Sequence, residues 1–448
     1  MELNDEPRPD TDEGQITTDG AATATVAVKN LSNLAPDTGK PLDMKAKIRF
    51  GIGFVLFGLL WMTAGTAGSA VLLPQRFSEL NIGVPEVILG TMNSVGCVFA
   101  LVSNIVFGAF SDVTRSRFGK RTPWVIVGGF IAGGGYAITA TSTTLFGIVA
   151  GWSIVQIGVN CMIAPAIAVL SDRIPENVRG TFSAFYGGAD LVGSSLGTFV
   201  GAKFISNMGT GFTLGVALFI FAGVAAVLAW PRELSSKSTG NAEKLHFSEI
   251  AKAFIPPTKN CRDFYLALCG RLMFILGWQM IGGYQLYILQ KYCHMSKTVS
   301  ASVLSQMAAL AMVVQIIMSL VSGPLSDKLH RRKILVFIGS AIIAVGLAIP
   351  WFFPTKEGML AYALVGNFGY GMYKAVDQAL NVDVLPSGDE AGKDLGILNL
   401  ANTLGQVIAP VIVSAIIVAT NSYAILFPIA IAGVMIGAII IMFIKKVK

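Results

Sequence analysis

Runs of roughly 20 apolar residues recur along this chain, each long enough to cross a ~30 Å hydrocarbon core as a helix. Twelve are found, near 50–73, 87–110, 124–143, 145–170, 181–204, 211–230, 264–290, 299–323, 334–353, 359–382, 397–420 and 423–444. Lipid offers no hydrogen bonds, so backbone N–H and C=O groups must pair within each segment, and continuous apolar runs of this length do so as helices. The expected fold class is an all-α membrane protein with twelve transmembrane helices. Composition agrees, with 53% hydrophobic and only 13% charged residues among 448.

The same composition excludes several functions. Five cysteines are scattered without a CxxC pair, and three histidines lack metal-ligand spacing, so neither a disulfide framework nor a metal centre is expected. No P-loop, nucleophile elbow or dinucleotide fingerprint is present. The chain therefore reads as no enzyme, with no cofactor and no metal. The 48 residues preceding the first run are polar and read as a disordered cytoplasmic tail. They lack the basic start and cleavage site of a signal peptide, so the first run is expected to stay as a helix.

Lys and Arg set the orientation. With the N-terminus inside, 26 of the 33 basic residues fall in inside segments and 5 in outside segments, while Arg271 and Lys374 lie within helices. Both termini are thus expected in the cytoplasm, with the chain in the plasma membrane. The +7 net charge follows from this bias and requires no nucleic acid. The expected partners are the lipid bilayer and a small-molecule substrate, and the expected state is a monomer.

A long polar interruption divides six runs from six. It gives a tail at 1–48, a first six-helix bundle at 49–232, a cytoplasmic linker at 233–262 and a second bundle at 263–448. The halves echo each other: "GAFSDVTRSRFGKRTP" follows the second run and "GPLSDKLHRRKI" follows the eighth. Each places Ser-Asp before a basic cluster. Such repeats imply two pseudo-symmetric bundles that rock about a central site. Asp112 with Arg115, Arg117 and Arg121, and Asp327 with Arg331 and Arg332, are expected to form a cytoplasmic gate.

On these features the chain resembles the major facilitator superfamily, over residues 49–448. The loop "SDVTRSRFGKRTPW" resembles its glycoside-pentoside-hexuronide:cation and sucrose-proton symporter branch. The resemblance implies a secondary transporter. Sodium-coupled melibiose permeases carry acids in their second helix, where this chain has only Asn93 and Asn104 before Asp112. Plant sucrose symporters use an acid in the fourth, where this chain has Gln156 and Asn160. The expected coupling ion is the proton, at a site moved elsewhere.

Polar residues inside the apolar runs mark where a substrate would sit. The tenth run carries Asn367, Tyr370, Lys374, Asp377 and Gln378 along one face; the seventh adds Arg271, Trp278, Gln279 and Tyr284, and the eleventh Asn402. The fifth run offers a small-residue face of Gly187, Asp190, Ser194, Thr198 and Gly201. Amides, hydroxyls and rings suit sugars, whose hydroxyls need donors and acceptors and whose C–H faces lie on aromatic rings. The substrate-binding candidates are Asn93, Gln156, Asn160, Trp278, Gln279, Tyr284, Asn367, Tyr370, Gln378 and Asn402. Asp377 is the favoured proton carrier, with Lys374 or Arg271 as its cation and Asp190 as the rival. Symport of a glucoside or small oligosaccharide is expected; the alternative is proton-coupled export of amphipathic molecules.

Overall fold

The computed structural model describes residues 33–236, 261–329, 331–385 and 391–445. Apart from an isolated bridge between Leu34 and Pro41, the described secondary structure is helical. Helix α1 runs from Met44 to Leu80, with a π-turn at Ala67–Leu72. It is followed by α2 (Pro85–Val113), α3 (Thr122–Thr141), α4 (Leu145–Arg173), α5 (Glu176–Lys203) and α6 (Met208–Ala229). After the linker come α7 (Arg262–Gly282), α8 (Lys297–Leu329), α9 (Arg332–Phe352), α10 (Lys356–Asp383), α11 (Ala391–Thr420) and α12 (Leu426–Met442). Among the described residues, nine helices are long and apolar enough to cross a membrane, and α12 is a shorter apolar helix. Helices α5 and α10, which carry Asp190 and the pair Lys374 and Asp377, are not among the nine.

Local chemistry starts the helices where the runs begin. Asp43 caps α1 by accepting from the Ala46 N–H at 2.7 Å, and Thr144 caps α4 by accepting from Gly147 at 3.1 Å. Pro85 opens α2, where its missing N–H costs nothing. At α3 the cap comes from far along the chain: the Glu233 carboxylate accepts from the N–H groups of Lys120, Arg121 and Thr122 at 2.9–3.2 Å.

The expected tail, 1–48, is described only in part. Residues 1–32 lie outside the described residues, but 33–43 pack against the helices: Ala35 is fully buried, and Arg173 Nε donates to Asp37 at 3.0 Å. The middle of the linker, 237–260, also lies outside, as do the side chains of Asp327 and Gln378.

Helices α1–α6 pack among themselves, α1 against α5 and α6, α3 against α4 and α6, and α2 against α4. Helices α7–α12 do likewise, α7 against α11 and α12, α9 against α10 and α12, and α8 against α10. The two groups meet chiefly where α2 packs on α11 and α5 on α8. The small residues of α5 serve two neighbours. Gly193, Gly197 and Gly201 face the carbonyls of Leu59, Thr63 and Ala67 on α1, where a side chain would collide, while Ser194 and Thr198 turn toward the other half.

Candidate functional site

Between the two groups of helices lies a cavity of about 220 Å³. One wall comes from α1 and α5, through Thr66, Ser194, Ser195 and Thr198; the other comes from α7, α8 and α10, through Trp278, Gln279, Gln315 and Asn367. Gln315 Nε2 donates to Asn367 Oδ1 at 2.6 Å, which fixes both amides against the wall. Trp278 stacks on Tyr370 with ring centroids 4.4 Å apart and planes 6° apart, so each ring covers one face of the other.

Beside this wall is a buried ion pair. Arg271 on α7 and Asp377 on α10 approach to 3.3 Å, with only 7% and 4% of each residue exposed. The carboxylate also accepts from the Tyr373 hydroxyl and from Asn381 Nδ2, each at 3.1 Å, and Arg271 Nε donates to Asn402 Oδ1 at 3.2 Å. These extra partners are what a buried pair requires to be tolerated. The direct pairing of Lys374 with Asp377 that their spacing permits is not formed. Three residues on a helix leave the two directions about 60° apart, enough for Asp377 to turn toward α7. Lys374 stays exposed, and the other intrahelical acid, Asp190, is carried by α5 of the opposite half. Asp190 Oδ1 is buried without a hydrogen bond among the described residues.

Other candidates fall elsewhere. Asn160 accepts from Asn104 Nδ2 at 3.1 Å, and Gln156 packs on Gly96, so both belong to the contact between α2 and α4. Asn93 is half-buried on α2. Tyr284 is 2% exposed and sits away from the cavity wall, its hydroxyl directed at the carbonyls of Pro410 and Glu86.

The two ends of the molecule differ. At the end carrying Glu86, contacts cross between the halves: Tyr287 donates to the Pro74 carbonyl at 2.9 Å, Gln290 to Gln75 at 2.7 Å, and Lys297 pairs with Glu79 at 2.7 Å. At the end carrying Asp112, every described ion pair stays within one half. Arg121, 4% exposed, pairs with Asp112 and, at 2.8 Å, with Asp172, while Arg332 pairs with Asp383 at 2.5 Å. Among the described residues, the expected gate residues Asp112 and Arg121 pair within the first half and Arg332 within the second, and the Asp327 side chain lies outside those described. Arg115 and Arg331 are exposed at that end, and Arg117 lies over the Phe118 ring.

The sequence pattern of the Major Facilitator Superfamily matches residues 50–284 and 267–448. The chain belongs to this superfamily. Two curated relatives align over short stretches. One is the uncharacterized symporter sll1374 of Synechocystis, 39% identical over 20% of this chain and 16% of its own length. The other is the inner membrane symporter YicJ of Escherichia coli, 33% identical over 19% of this chain and 18% of its own. The matches thus span less than a fifth of either relative. The fold of a D-xylose-proton symporter superposes over 90% of this chain and 98% of its own, with a TM-score of 0.65 at 16% identity.

Within this superfamily member, one acid stands out that the sequence reading passed over. Glu86, in the first turn of α2, is 1% exposed. It lies one residue before the apolar run expected at 87, where acids usually mark a helix end in water, and its burial depends on a partner half more than 200 residues away.

Proposed function

We propose that this chain is a secondary active transporter that moves a glucoside or small oligosaccharide together with a proton by alternating access, within the glycoside and sucrose symporter branch. The observation that carries the reading is the polar cavity between the halves, set beside the buried Arg271–Asp377 pair. Amides and hydroxyls on both walls offer donors and acceptors to sugar hydroxyls, and the free face of the Trp278–Tyr370 stack offers a surface for C–H groups. The volume lies below the ~300–1,000 Å³ of pockets for drug-sized ligands, which favours the smaller sugars.

Charge supplies the coupling. A proton on Asp377 removes its attraction for Arg271 and frees the guanidinium to bind elsewhere. Asp190, on α5 of the opposite half, is the second place for that proton. The repeated packing supports alternation between two bundles: adding six to each helix number in the packing of α1–α6 gives the packing of α7–α12. Residues 49–232 and 263–448 form the bundles, 233–262 link them, and both termini are cytoplasmic by the distribution of Lys and Arg. The conformation is then open to the cytoplasm, and the gate residues Asp112, Arg115, Arg117 and Arg121, with Asp327, Arg331 and Arg332, come together when that end closes.

A thermal-shift screen tests the substrate class, since a ligand raises stability by RT ln(1 + [L]/Kd). Stabilisation by a glucoside is expected. Stabilisation by amphipathic compounds alone would favour export and overturn the sugar reading.

A further inference from the structure

The contacts that shut one end of the molecule converge on Glu86. Its Oε1 accepts from Lys291 Nζ at 2.5 Å and from the Tyr423 hydroxyl, and its backbone carbonyl accepts from Ser414 Oγ at 3.1 Å. All three donors belong to the second half of the chain. Gly90, one turn along α2, meets the Pro410 carbonyl and Ser414 of α11 so closely that any side chain there would collide. Glu86 is thus held where α2 and α11 touch. The Lys291 side chain is 41% exposed while that of Glu86 is 1% exposed, so solvent reaches the pair only from the lysine. The second carboxylate oxygen is buried with no hydrogen bond among the described residues.

We propose that Glu86 is the positioning residue that holds this end of the transporter closed, through its charge. Hydrogen bonds to an ionised acceptor are shorter and roughly twice as strong as neutral ones. Here two of them, from Lys291 and Tyr423, cross the boundary at which the halves must part. Opening this end separates both donors from one carboxylate in a single movement and lets water take their place. Lys297 with Glu79 and Gln290 with Gln75 part in the same movement, but the Lys297 and Glu79 side chains are 33% and 44% exposed and so already compete with water, and the two amides form a neutral bond. The role concerns the closed state and not substrate recognition, so it holds whatever solute the cavity carries.

Spin labels at the exposed positions Ile82 and Ala419 report the width of this end, and labels at Phe118 and Ile334 report the other. The measurement is pulsed electron resonance in nanodiscs without substrate, on a chain with its five native cysteines replaced by serine. In Glu86→Gln, the longer Ile82–Ala419 population is expected to rise about tenfold relative to the short one, equivalent to about 1.4 kcal/mol. Lys291→Gln is expected to act in the same direction. The double variant should exceed the larger single effect little, because both changes remove the same bond. Should Glu86→Gln fail to fold, Lys291→Gln and Tyr423→Phe remove the bonds from the other half and give the same readout. Unchanged distances in Lys291→Gln and Tyr423→Phe, or effects that add in the double variant, would overturn the proposal.

Discussion

Asp377 and Arg271 form an ion pair with 4% and 7% of each residue exposed, and the cost of separating them decides what their variants do. Replacing Arg271 by Gln strands the carboxylate, and removing one partner of a buried pair costs about 3–5 kcal/mol. Thermal unfolding of Arg271→Gln is expected to show a loss of that order, with the Arg271→Gln, Asp377→Asn double variant recovering most of it. Trp278 belongs to a different class of residue. Its ring covers Tyr370 on one side, so Trp278→Ala is expected to weaken sugar binding by about 1 kcal/mol, a fivefold change in Kd by calorimetry, with folding retained. The polar stripe of α10 was legible from spacing alone, because charges inside an apolar run have few places to go. Which of the two expected cations, Lys374 or Arg271, meets Asp377 was not, because a helix periodicity gives a face and not the neighbour that face meets. Glu86 was invisible for a related reason: an acid at the end of an apolar run looks solvated until a lysine and a tyrosine from the other half are brought over it.

At the level of elements, contacts between backbones set which helices move together. Gly90 allows α2 to approach α11 at the closed end. Gly90→Val should push them apart and raise labelling of a cysteine at Ser194 from that side, measured against wild type with an impermeant maleimide. The ion pairs at the opposite end predict a contrast. The Asp112 side chain is 59% exposed, so Asp112→Asn should cost less than about 1 kcal/mol in thermal stability. Arg121 is 4% exposed and serves Asp172 as well, so Arg121→Ala should cost about 3 kcal/mol. Helix positions and the repeated Ser-Asp loops were readable because lipid fixes segment length and the repeat doubles the signal. The division of α5 into a row that meets α1 and a row that lines the cavity was not, since small residues serve either purpose and only the neighbour distinguishes them.

For the whole molecule, the contacts that cross at the Glu86 end, the Asp112 end whose described ion pairs stay within each half, and the cavity between them fit one stage of the alternating carrier proposed above. Coupling requires that a proton change which stage is favoured, and Asp377 is where the account places that proton. The direct measurement is uptake of labelled sugar into proteoliposomes under an imposed pH gradient, run beside exchange of labelled for unlabelled sugar at equal pH. Wild type should do both. Asp377→Asn keeps the shape of the acid but cannot titrate, so it should lose accumulation driven by the gradient while exchange persists. Accumulation by Asp377→Asn at the wild-type level, with Asp190→Asn unable to accumulate, would contradict the account and place the proton on α5.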